Sequence, residues 1–183
     1  MSKENKRYET VYVGSMELLQ DLAKNNALHN LKTVKFRDGY PLFGLVGVSK
    51  VTKIVNEFAE AHSGDIEHTA DDVSLWKAHS EFVTQDVKDT SKVVTRNMGV
   101  LKQIVLSGNA YRINKVFMDK SGKRVFRFFS CPEIEKIKAE GDKISHERWE
   151  KKHTAKEPTE EPINTVMKDL IEKAMAEVKD ATE

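Results

Sequence analysis

A single cysteine, Cys131, in 183 residues leaves no partner for an intrachain disulfide, and a reducing, cytoplasmic compartment is the simplest expectation. No apolar run approaches the roughly 18–20 residues that cross a bilayer. The basic start from Met1 to Arg7 is not followed by an apolar stretch, so no signal peptide is expected. The chain also has no Gly-x-x-x-x-Gly-Lys phosphate loop, no Gly-x-Gly-x-x-Gly and no Gly-x-Ser-x-Gly. It has no His-x-x-x-His pair and no Cys pair. His62, His68 and His79 lie near Asp65, Asp71 and Asp72, but a polar loop is their plainer setting, and no metal or cofactor is expected. Nothing marks a depressed thiol pKa at Cys131, which reads as a half-buried structural residue. The expectation is a protein that is not an enzyme. Catalysis by carboxylates of no marked spacing stays open as a third reading.

What is present is charge, unevenly placed. Net charge is +1, yet residues 38–85 carry three basic and eight acidic side chains, residues 86–129 ten and three, and residues 155–183 four and eight. A neutral total hides one basic block between two acidic ones, which bears on partners rather than on fold.

Hydrophobic residues are 39% of the chain, so a core depends on grouping. Tyr8 to Val13 reads as a strand ended by Gly14. Ser15 can cap a helix bearing Leu18, Leu19, Leu22 and Ala23 on one stripe. Leu31 to Phe36 reads as a second strand, and Arg37 to Pro41 as a turn. Leu42 to Val48 is a strand or a short helix. Ser49 to His62 is a helix capped by Ser49, with Val51, Ile54, Val55, Phe58 and Ala59 inward. A polar stretch from Ser63 to Thr69 is the best internal boundary. A helix then starts at Asp71 or Asp72 with a seam of Val73, Trp76, Ser80, Val83 and Val87. The next begins near Thr90 or Ser91, carries Val94, Met98, Leu101, Ile104 and Val105 inward, and ends at Gly108 in a left-handed cap. Ala110 to Met118 and Lys123 to Phe129 are the strands of a hairpin around Asp119-Lys120-Ser121-Gly122. Glu133 to Glu140 reads as a short helix with Ile134 and Ile137 inward. No repeat is visible at a period of 20–50 residues.

The string from Thr90 to Phe129, "TSKVVTRNMGVLKQIVLSGNAYRINKVFMDKSGKRVFRFF", resembles the winged helix-turn-helix family of DNA-binding regulators. The resemblance lies in the order helix, glycine, basic-tipped hairpin. It implies that Ser91, Lys92, Thr95, Arg96, Asn97 and Lys102 face DNA, and that Lys120, Lys123 and Arg124 sit on the wing. Gly99 departs from the pattern, since mid-helix it weakens the helix by about 1 kcal/mol. A fainter likeness joins residues 44–58, through Gly47, Val48, Ser49 and Thr52, to the turn and recognition helix of repressor-type helix-turn-helix proteins. Lys53 stands there where that family buries an aliphatic residue.

Pro158 and Pro162 bracket a glutamate run, so residues 143–162 read as a charged linker. Residues 163–183 read as an amphipathic helix, on which Val166, Leu170, Ile171 and Met175 could pair in a homodimer or bind a protein partner. The expected class is therefore α+β: a small mixed unit over 1–64, a winged-helix-like unit over 68–142, the linker and the final helix. The expected function is a non-enzymatic DNA-binding regulator of bacterial or phage type, with transcription as the process regulated and without membrane association. The alternative is a modulator or inhibitor of a partner enzyme, acting through the acidic surface or the last helix.

Overall fold

The computed structural model describes residues 8–62, 74–84 and 91–154. Strand β1 (Thr10–Val13) leads into helix α1 (Met16–Lys24). Ser15 keeps an extended backbone and its Oγ accepts from the Leu18 N–H, which makes it the N-cap. Leu18, Leu19, Leu22 and Ala23 form the buried stripe of α1. A 3-10 turn at Leu28–Asn30 leads to strand β2 (Leu31–Arg37). Asp38 and Gly39, both at positive φ, turn the chain into strand β3 (Tyr40–Val46). Helix α2 (Ser49–Ala61) follows; Val48, rather than Ser49, is its N-cap, without a side-chain bond. β3 lies between β1 and β2 in an all-antiparallel sheet. Leu42 to Val46 is thus strand, and residues 44–58 lack the first helix that a helix-turn-helix needs.

Helix α3 (Ser74–Thr84) comes next. It buries Leu75, His79 and Phe82, one step away from the expected seam on Trp76 and Ser80. Trp76 instead stacks on Tyr40 at 5.4 Å, a large ring at the margin of the core. Val73 and Val87 lie outside the described residues.

The helix expected from Thr90 divides. Lys92–Thr95 form strand β4, and helix α4 covers only Met98–Leu106. Three β-branched residues in Val93-Val94-Thr95 favour a strand, and Asn97 then caps α4 by accepting from the Gly99 N–H at 2.8 Å. Gly99 lies in the first turn, not mid-helix. A 3-10 turn at Ala110–Arg112 precedes strand β5 (Ile113–Met118) and strand β6 (Arg124–Phe129). β6 lies between β4 and β5, again antiparallel. Helix α5 (Pro132–Thr154) closes the described chain. Lys143 to Thr154 therefore continue a helix where a linker was expected. The segment is rich in Lys, Glu and Arg, which favour helix, and His146 pairs with Glu150 at 3.1 Å.

The two halves have one plan. Strand, helix, 3-10 turn, hairpin and helix occur twice, with the same strand order in both sheets. Buried residues match at a spacing of 82: Leu19 with Leu101, Leu22 with Ile104, Leu31 with Ile113. After a hairpin one residue longer they match at 83: Phe43 with Phe126, Leu45 with Phe128, Val51 with Ile134. Asn26 (φ +55°) and Gly108 (φ +81°) hold the same left-handed position after their helices, a conformation that glycine adopts freely and asparagine or aspartate less well. Each sheet has a bulge at the same place, between Leu31 and Thr33 and between Ile113 and Lys115.

The copies share one core, which runs from Val13 to Ile134 and draws on both. Gln20 and Lys102, at equivalent positions, each cross to the other copy. Gln20 Nε2 donates to the Val105 and Leu106 carbonyls at 3.3 Å, and Lys102 Nζ donates to Asn26 Oδ1 at 2.8 Å. The expected boundary near residue 64 therefore does not separate two cores. The chain divides into compact units at 1–144 and 145–183. Among the described residues no helix is long and apolar enough to cross a membrane.

Candidate nucleic-acid interface

Residues 92–129, which make the second sheet and α4, hold nine basic side chains and one acidic. The matching stretch of the first copy, 10–46, holds four and three. Strand alternation sorts the second sheet into faces. Val93, Thr95, Phe126 and Phe128 are buried. Lys92, Val94, Lys115, Phe117, Arg127 and Phe129 occupy the opposite parity and lie exposed or half-buried, whereas Val125 of the same parity is buried. Val94, Arg127 and Lys115 are cross-strand neighbours in one row. Val94 and Phe117 lie outside the shared core, and Phe129 packs on the buried Phe82. On the first sheet the matching face carries Thr10, Tyr12, Thr33 and Lys35. Gly44 lies beneath Tyr12 and Thr33, so close that a methyl group there would overlap both. At three matched positions, Thr10 and Lys92, Thr33 and Lys115, Gly44 and Arg127, a neutral residue of the first copy is a cation in the second.

The hairpin tip adds a second set. Asp119 organises it. Its Oδ1 accepts from the Ser121 N–H at 2.8 Å, the Ser121 hydroxyl at 2.6 Å and the Lys123 N–H at 2.9 Å. Its Oδ2 pairs with Arg96 Nε at 3.0 Å. The Ser121 hydroxyl bond, then the Lys123 N–H bond, lead the effects that hold the carboxyl below its ordinary pKa, and the Arg96 charge adds to them. Lys120 and Lys123 are exposed on this turn.

The residues implied by the winged-helix resemblance fall into two groups. Lys92, Lys120 and Lys123 are exposed. Ser91 is exposed, with its carbonyl bound by the Ser130 N–H at 2.7 Å. Arg96 is exposed but paired to Asp119. Arg124 reaches across to donate to the His29 carbonyl at 3.0 Å. Thr95 is buried, and its hydroxyl accepts from the Asn97 N–H. Asn97 caps α4 and donates to the Gly141 carbonyl at 3.3 Å, and Lys102 is tied to Asn26. Thus Thr95, Asn97 and Lys102 serve the fold. Helix α4 buries Val100, Leu101, Ile104 and Val105 and exposes Met98, Gly99 and Gln103. The reading from sequence missed Lys115, Phe117, Arg127 and Phe129. Their alternation with buried residues along the hairpin strands was the signal that could have found them.

His62 Nδ1 donates to the Phe58 carbonyl at 2.7 Å, and His79 sits among Phe36, Tyr40 and Phe82. Among the described residues no group of three His, Cys, Asp or Glu could hold a metal; His68 lies outside them. Cys131 is half-buried, with Asn109 Oδ1 3.9 Å from its Sγ. Val166, Leu170, Ile171 and Met175 also lie outside the described residues. Comparison of the chain with protein-family models, curated proteins and solved structures gives no match.

Proposed function

We propose that this chain is a non-enzymatic nucleic-acid-binding protein of regulatory type, in which the open face of the second sheet and the 119–123 turn meet the phosphates. The observation that carries this reading is the difference in charge between two copies of one fold. The first copy folds with four basic and three acidic side chains where the second has nine and one. Lys102, Arg112, Arg124 and Arg127 bond within the fold and Arg96 pairs with Asp119. Packing does not account for Lys92, Lys115, Lys120 and Lys123, and a requirement outside the fold does. Like charges gathered on one face repel each other, so their clustering has a use when a polyanion is present. The hairpin half of the winged-helix resemblance is kept. The helix half contributes little, because α4 exposes no unpaired cation.

Phosphate contacts release counterions, so affinity falls with salt. Titration of a labelled duplex by fluorescence anisotropy, at low and at physiological ionic strength, is the test. Wild type is expected to bind in the roughly micromolar range at low salt, as non-specific binders do. Replacing Lys92, Lys115 and Lys123 with Ala flattens the salt slope by about three, one for each lost contact. Replacing Lys32, Lys35 and Arg37 of the first copy leaves it nearly unchanged. Absence of binding to any nucleic acid at low salt refutes the proposal.

A further inference from the structure

We infer that the nucleic acid on the second sheet is single-stranded, with bases stacked on Phe117 and Phe129. This rests on the nucleic-acid reading above and narrows it. Both rings belong to the open face and both are half-buried; Phe117 lies outside the shared core, and Phe129 leans on the buried Phe82. Each has a lysine beside it: Lys115 Nζ is 6.0 Å from the Phe117 ring centre, and Lys92 Nζ is 6.0 Å from that of Phe129. Phe82 braces Phe129 from α3 at 5.6 Å, and the Arg112 guanidinium lies 4.2 Å from the Phe82 ring. The matching residues of the first copy are Lys35 and Val46, so the fold does not demand aromatic rings at these points.

Geometry favours a single strand over a duplex. Phe117 is opposite Val125, and Phe129 lies four residues further along β6, about 13 Å at strand spacing. Lys115 and Arg127 lie between the two rings. An extended strand can set bases on the rings and phosphates on the cations between them. A duplex hides the faces of its bases. Its major groove admits a helix or a two-stranded ribbon, whereas this face is three strands wide, and α4 exposes only Met98, Gly99 and Gln103.

The experiment measures wild-type binding to oligo(dT), oligo(rU) and a duplex of equal length at one ionic strength. At least one single strand is expected to bind about tenfold or more tightly than the duplex, and a difference between the two identifies the sugar preferred. Phe117→Leu and Phe129→Leu should each weaken single-strand binding by about five- to hundredfold, the usual loss of one base–aromatic stack, with duplex affinity little changed. Phe117→Tyr should restore most of it. Circular dichroism melts check that each variant is folded, and ultraviolet crosslinking of oligo(dT) should mark peptides containing Phe117 or Phe129. Equal affinity for duplex and single strand, or a folded pair of leucine variants that bind like wild type, overturns the inference and leaves the nucleic-acid reading standing. No binding to any of the three removes both.

Discussion

Asp119 is the single carboxylate among nine cations, and its bonds explain its place there. It closes the hairpin tip through Ser121 and Lys123 and neutralises Arg96. Asp119→Asn keeps an acceptor for the tip and releases Arg96. Nucleic-acid affinity is expected to rise and the salt slope to steepen by about one, while the melting temperature falls. An unchanged slope in the titration would place Arg96 away from the phosphates. His79 carries a pH dependence. It is 8% exposed within an aromatic enclosure, and burial lowers its pKa from 6.5. The unfolded chain therefore takes up a proton at this site at a higher pH than the folded chain does. Stability linked to His79 is full above the unfolded pKa and is lost as pH falls toward the folded value. Thermal melts between about pH 7.5 and pH 5 should show that decline, and His79→Phe should reduce it.

At the scale of elements, the contact of α5 with α4 depends on a missing side chain. Gly141 meets Val100 so closely that a Cβ would overlap Val100 Cγ2, and its carbonyl accepts from Asn97. Its counterpart in α2 is Phe58, which fills the same position from the other copy with a large ring. Gly141→Ala would gain about 1 kcal/mol of helix propensity. Overpacking against Val100 outweighs that gain, with a net loss of roughly 1–2 kcal/mol expected in urea denaturation. Val100→Ala in the same chain should recover part of the loss, although it vacates core volume of its own. A stabilised Gly141→Ala protein would show that the two helices separate freely.

At the largest scale, the described residues up to 144 form a repeated unit with one core. α1 and α4 pack on each other, and Gln20 and Lys102 exchange hydrogen bonds across the pair. Neither half buries its helix without the other. Residues 8–144 are therefore expected to unfold in one cooperative transition. Phe43→Ala and Phe126→Ala, at matched sites, should each remove about 3–5 kcal/mol and move the same transition. Two separated transitions, each sensitive to only one of the substitutions, would refute the shared core. Duplication also leaves two similar open sheet faces, free to diverge in charge while the packing stays the same.

The sequence by itself determined the local pieces. The caps at Ser15 and Gly108, the stripe of α1 and the hairpin around Asp119 to Gly122 follow from short-range chemistry, and an α+β class follows from them. In α2 only Val51 and Phe58 are buried, and Ala59, expected inward, is exposed. It also held the basic block. What it did not show was the split of residues 90–106. There Val94 falls at a spacing that suits a helix with Met98 and Leu101, and only pairing of β4 with β6 turns Val94 outward. Nor did it show the repeat. Buried positions constrain size and polarity, so Leu22 can match Ile104 and Leu45 can match Phe128 with little identity left between the copies. The open face was hidden for a related reason. Lys92, Lys115, Phe117, Arg127 and Phe129 lie on three strands and become one surface only when the register of the sheet sets them side by side.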